Sequence, residues 1–172
     1  MIKYLFTRNG LISSKLISCW TKYDFQKTED TPSHFACLFF DRIILHSSAN
    51  GGVQLDSFYR FKQKNTVVCA VRNEGRELSR VETMLLFDQL DQRAMHAEYD
   101  RLAILYFIWR IFLKWLLNNP IPDKNKWESR NKWFCNELFE IIFRDDLSMK
   151  TPNDLMWMLL EHPEFTSTEV FQ

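Results

Sequence analysis

The stretch "HFACLFFDRIILHSS", residues 34–48, constrains this chain more than any other. Two apolar runs rich in aromatic and branched residues are broken only at Asp41 and Arg42, the pattern of a β-hairpin. A histidine flanks the hairpin on each side, His34 and His46. Strand side chains alternate between faces, so the turn decides whether the two can meet. A two-residue loop at Asp41 and Arg42 pairs Cys37 with His46 and puts the histidines on opposite faces. A three-residue loop over Phe40 to Arg42 pairs Ala36 with His46 and puts both on one face. They are then diagonal neighbours with Cα atoms about 7–8 Å apart, close enough for two imidazoles to hydrogen-bond.

Around the hairpin the pattern changes once. Residues 1 to 7 read as a short strand, Leu11, Ile12, Leu16 and Cys19 as one face of a short helix, and "TVVCAV" at 66 to 71 as a further strand. "ANGGV" between them is a turn, for which Gly51 and Gly52 suffice, and "QLDSFYRFKQKN" is mixed. From Ser79 the pattern is helical. Ser79 with Glu82 matches a capping box, a helix runs from near Tyr99 to about Asn118, and another starts at Cys135. In "TPNDLMWMLL", Thr151 reads as N-cap, with Pro152 in the first turn and Asp154 as the carboxylate that reaches back. Strands early and helices late indicate a single α+β domain over 1–172, a small antiparallel sheet against a helical layer, with residues from about 163 onward as a flexible tail.

The 172 residues are enough for one sizeable core, and 46% hydrophobic content argues against disorder. Lys+Arg and Asp+Glu are equal at 22 each, so no global field draws the chain to nucleic acid or to an anionic membrane. "LAILYFIWRIFLKWLL", 102–117, is the most apolar stretch, but it holds Arg110 and Lys114 and is shorter than the roughly 20 residues a bilayer needs. A largely buried helix is expected there, its surplus aromatic residues offering a face to a protein partner. The N-terminus is a poor signal peptide, and the four scattered cysteines form no C-x-x-C pair, so reduced thiols and a cytoplasmic protein are expected. Cys19, Cys37 and Cys69 lie in apolar runs as core thiols; His96 and His162 lie in polar surroundings facing solvent.

Cys135 is different. It follows the polar run "PDKNKWESRNK" and heads an amphipathic helix, where unpaired N–H groups and the helix dipole stabilise a thiolate. A Cys–His site needs a thiol, a base and a third group that orients the base. Cys135, His34 and His46 would fill those roles; the same three could also hold zinc, although no two are closely spaced.

The order "SHFACLFFDRIILHSSANGGV", then Tyr99 and Asp100, then "FCNELFEIIF" and "TPNDL", resembles the circularly permuted papain-like hydrolases over roughly residues 10 to 160. That superfamily includes the NlpC-type and YiiX-type amidases and peptidases and, more distantly, lecithin retinol acyltransferase. Asn136 stands where a serine is common, and His46 where the YiiX-type group tends to have a carboxylate and the acyltransferase branch a histidine. The resemblance implies a permuted papain-like fold and a cysteine hydrolase, amidase, peptidase or acyl transferase. Cys135 would be nucleophile, His34 base and His46 orienter, acting without cofactor or metal on a peptide, isopeptide or acyl substrate. Aromatic density and the compact domain suit a bacterial or bacteriophage protein, cytoplasmic or virion-associated. The rival expectation is a virion or complex component that keeps the fold for interaction, without turnover.

Overall fold

The computed structural model describes residues 2–10, 15, 31–48, 52–75, 78–94, 105–106, 109, 112–113, 116–117 and 151–168. Their elements are, in chain order, β1 (Ile2–Arg8), β2 (His34–Phe39), β3 (Ile43–Ser48), β4 (Gly52–Ser57), α1 (Phe58–Lys64), β5 (Thr66–Asn73), α2 (Arg80–Ala94), α3 (Pro152–Glu161) and β6 (Phe165–Thr168). The strands form one antiparallel sheet in the order β4-β3-β2-β1-β5-β6. This is a mixed α and β architecture, as the strand-then-helix pattern indicates, with a larger sheet than expected. Residues 105, 106, 109, 112, 113, 116 and 117 are helical, within the expected 99–118 helix, but where a largely buried helix is expected Leu105, Trp109, Phe112, Leu116 and Leu117 are exposed, and Tyr106 is buried. Lys15, within the helix expected after Gly10, is helical; the rest of that helix, the helix expected at Cys135, and Tyr99 and Asp100 lie outside the described residues.

Both faces of the sheet are apolar, which explains why the hairpin reads as two continuous hydrophobic runs rather than as alternating ones. Tyr4, Phe6, Phe35, Cys37, Phe39, Leu45 and Val71 point to one face, where Leu90 of α2 and Leu155, Met156 and Leu159 of α3 cover them. Each such aliphatic side chain contributes roughly 1.5–3 kcal/mol when fully buried. Leu5, Ala36, Leu38, Ile44, Val67 and Ala70 point to the other face, against Phe61 of α1. Cys37 is buried in the first core and Cys69 packs against it, both as free thiols.

Local chemistry fixes the helix starts. Ser79 N–H donates to Glu82 at 2.9 Å while Glu82 N–H donates to the Ser79 hydroxyl at 3.2 Å, the reciprocal capping box. Thr151 and Asp154 repeat it at α3, where Pro152 sits in the first turn. Ser57 caps α1 by accepting from Arg60 N–H.

Three elements, β4, α1 and β6, were not visible in the sequence pattern. The mixed segment "QLDSFYRFKQKN" divides into the end of β4, the helix α1 and Asn65, with a basic last turn of Lys62 and Lys64. Phe165–Thr168, within the expected flexible tail, form an edge strand paired with β5. Among the described residues no helix is long and apolar enough to cross a membrane.

Candidate functional site

The hairpin takes the three-residue alternative. Phe39 pairs with Ile43 and Ala36 with His46, leaving Phe40, Asp41 and Arg42 as the loop. Phe40 and Asp41 both adopt positive φ, 54° and 57°, and Arg42 N–H donates to Phe39 O at 3.1 Å. Two consecutive positive φ values define the turn whose twist matches a hairpin. Asp41 tolerates that conformation, whereas a bulky Phe40 does so under strain. Lys3 Nζ lies 2.8 Å from Asp41 Oδ1, an ion pair half open to water and therefore a minor contributor.

The consequence for the histidines follows from the register. His34 and His46 share a face and are diagonal neighbours on adjacent strands. Their nitrogens meet: His34 Nε2 and His46 Nδ1 are 3.1 Å apart, with ring centroids separated by 5.2 Å and planes near perpendicular at 85°. One of the two nitrogens carries the proton of this bond, and the tautomer decides which.

The pair sits beneath an aromatic cover. Phe61 of α1, 1% exposed, lies edge-on to His46 at 5.1 Å between centroids and tilted over His34 at 6.2 Å. Burial pushes the His34 imidazole down to about 3, with neighbouring His46 adding to the shift. Burial likewise pushes His46 down to about 4, opposed by Asp56 and reinforced by Lys64. Both rings are therefore neutral at physiological pH.

Buried polar residues concentrate at this end of the sheet. Eight polar or charged residues among those described are buried, and three of them, Thr83, Thr151 and Asn153, belong to helices or their caps. The other five are His46 itself, Ser47 beside it, Thr31 and Ser33 just before His34, and Thr7, paired across the sheet with His34. Thr7 is fully buried and its Oγ1 has no hydrogen-bond partner. The β1–β5 register shifts between Phe6 and Thr7, a β-bulge of the kind found beside functional sites. Burying polar groups carries a free-energy penalty, so their concentration at one end of an otherwise apolar sheet marks that end as the candidate site.

Of the three residues expected to act together, the structure brings His34 and His46 into contact; Cys135 lies outside the described residues. His162 is exposed; His96 and Cys19 lie outside the described residues. Sequence reasoning missed Phe61 and Thr7. The local signals for α1 were Ser57 as N-cap and the aromatic pair Phe58 and Phe61, three apart and followed by Lys62 and Lys64. Nothing local marks Thr7, because its importance comes from strand pairing. Among the described residues no three His, Cys, Asp or Glu side chains gather as a metal site. In comparisons with known proteins, the chain matches no protein-family model and no curated protein.

Proposed function

We propose that the chain is a cysteine-dependent hydrolase or acyl-transferring enzyme with a permuted papain-like fold, using Cys135, His34 and His46 on an amide, ester or thioester. One observation carries this reading: the hydrogen bond between His34 Nε2 and His46 Nδ1. It occupies one nitrogen of His34 and leaves Nδ1 as the atom that can exchange a proton with a thiol. When His34 Nε2–H donates to His46, Nδ1 carries the free lone pair of a general base.

In this mechanism His34 Nδ1 takes the Cys135 proton as the sulfur attacks the substrate carbonyl, forming the Sγ–C bond. The tetrahedral intermediate collapses with cleavage of the bond to the leaving group, to which His34 returns the proton. Water, activated by the same nitrogen, then cleaves the acyl-enzyme and restores the thiol; an alcohol or amine in its place gives acyl transfer. The Cys135 backbone N–H would serve as donor to the developing oxyanion, such donors being worth about 3–4 kcal/mol of barrier. Burial lowers the proton affinity of His34, and in this mechanism a thiolate beside Nδ1 would be the negative partner that raises it again.

The test is the pH dependence of Cys135 alkylation by iodoacetamide in wild type and His34→Ala, followed by peptide mass spectrometry. The proposal expects a rate that stays high well below the free-thiol pKa of about 8.5 and collapses in the variant. A slow rate that rises only near that value, indifferent to His34, refutes it and leaves a binding or structural role.

A further inference from the structure

The two histidines meet head to tail, and that arrangement leaves one ring nitrogen of each outside the central bond. Nε2 of His34 is bonded to Nδ1 of His46, so Nδ1 of His34 and Nε2 of His46 are the remaining ring nitrogens. A neutral imidazole carries one N–H, so the pair has two protons on four nitrogens. If His34 donates the central bond, His34 Nδ1 is bare and His46 Nε2 holds the second proton. If His46 donates it, His34 Nδ1 is protonated and His46 Nε2 is bare. Both arrangements are neutral, and both keep the central hydrogen bond.

We propose that His46 is a proton carrier as well as the residue that orients His34, the pair acting as a two-ended relay between the reacting centre and the far side of His46. This rests on the reading of His34 as the base toward Cys135. In the forward direction a proton passes from the Cys135 thiol to His34 Nδ1, the Nε2 proton crosses to His46 Nδ1, and the His46 Nε2 proton passes to solvent water. Two N–H bonds form and two break, and no net charge stays on the pair. Reversal brings a proton in at His46 Nε2 and delivers it from His34 Nδ1 to the leaving group.

The surroundings favour this route over a standing imidazolium. Phe61 closes over both rings, and burial disfavours the charged form of each. The charged groups whose fields reach His46 are Asp56 on β4 and Lys64 on α1, with opposite signs. Asp56 eases proton entry at His46 and Lys64 eases release. An asparagine at position 46 could accept from His34 Nε2–H but could not pass a proton through.

The experiment combines ¹⁵N NMR of the histidine rings with Cys135 alkylation in wild type and His46→Asn, with His46→Gln as the alternative should the first not fold. The carboxamide oxygen preserves an acceptor for His34 Nε2–H and removes the relay. In wild type near neutral pH, the nitrogens of both rings are expected at shifts averaged between bare and protonated values. In His46→Asn, His34 is expected as a pure Nε2–H tautomer, with alkylation at neutral pH slowed by about a hundredfold, the low end for a lost proton-transfer function. A single pinned tautomer in wild type overturns the relay whatever the thiol does. Averaged shifts with an alkylation profile unchanged in His46→Asn overturn it too, and reduce His46 to an orienting residue. A wild-type thiol indifferent to His34 is a separate result: it defeats the catalytic reading, while the ring shifts still report on the pair.

Discussion

Acid should weaken this fold through the two histidines before its carboxylates begin to matter. In the unfolded chain each imidazole titrates near 6.5; in the folded protein burial holds His34 at about 3 and His46 at about 4. The folded pKa values are depressed, so the unfolded state binds more protons as the pH falls. The folded state's advantage is fully present above about pH 6.5 and is lost toward the folded values. At about pH 5 each unfolded histidine has gained most of a proton while the folded pair has gained almost none. The difference of about 1.5 pH units from 6.5, at 1.36 kcal/mol per unit, is about 2 kcal/mol per ring and about 4 kcal/mol for both.

A total stability of about 5–15 kcal/mol makes that a large fraction. The assay is urea unfolding between about pH 7.5 and pH 5, comparing wild type with His34→Gln/His46→Gln, which removes both titrations and leaves every other ionisable group in place. The wild type should lose about 4 kcal/mol more than the double variant over that interval. Parallel losses in the two proteins would refute the reasoning, and would mean that the pair takes up protons in the folded state as readily as in water.

Two further substitutions test the same physical account. Thr7→Val keeps the branched shape and removes a fully buried hydroxyl without a partner, so thermal unfolding should show a gain of about 1 kcal/mol, read as a rise in Tm of about 2–4 °C. An unchanged or lower Tm would mean that Oγ1 is satisfied in solution. Thr151→Ala deletes one half of a capping box in which both reciprocal hydrogen bonds are present, and should cost about 1 kcal/mol by denaturant unfolding; a loss below a few tenths would show that α3 is held by its buried face alone.

What the sequence made legible is what local chemistry decides. The hairpin, both capping boxes and the strand at Thr66 declare themselves through runs, caps and turn residues within a few positions of one another. The His–His contact was legible only as one of two alternatives. Choosing between them required knowing that Phe40, a residue poorly suited to positive φ, adopts it together with Asp41. That choice is made by both faces of the hairpin: a slip of one residue would turn Phe35, Cys37 and Phe39 away from the core shared with α2 and α3. The strain at one turn residue is thus outweighed by burial along two strands, and the same register sets His34 against His46. The elements that escaped, β4, α1 and β6, are six, seven and four residues long, too short for periodicity to accumulate. Thr7 and Phe61 escaped for a different reason: they reach the histidines through pairing of β1 with β2 and packing of α1 on the sheet, across sequence separations that no local pattern records. A site assembled at the end of a sheet in this way discloses its bond-forming residue types early. Its environment, which sets the proton affinity of those residues, becomes visible only once the strands are in order.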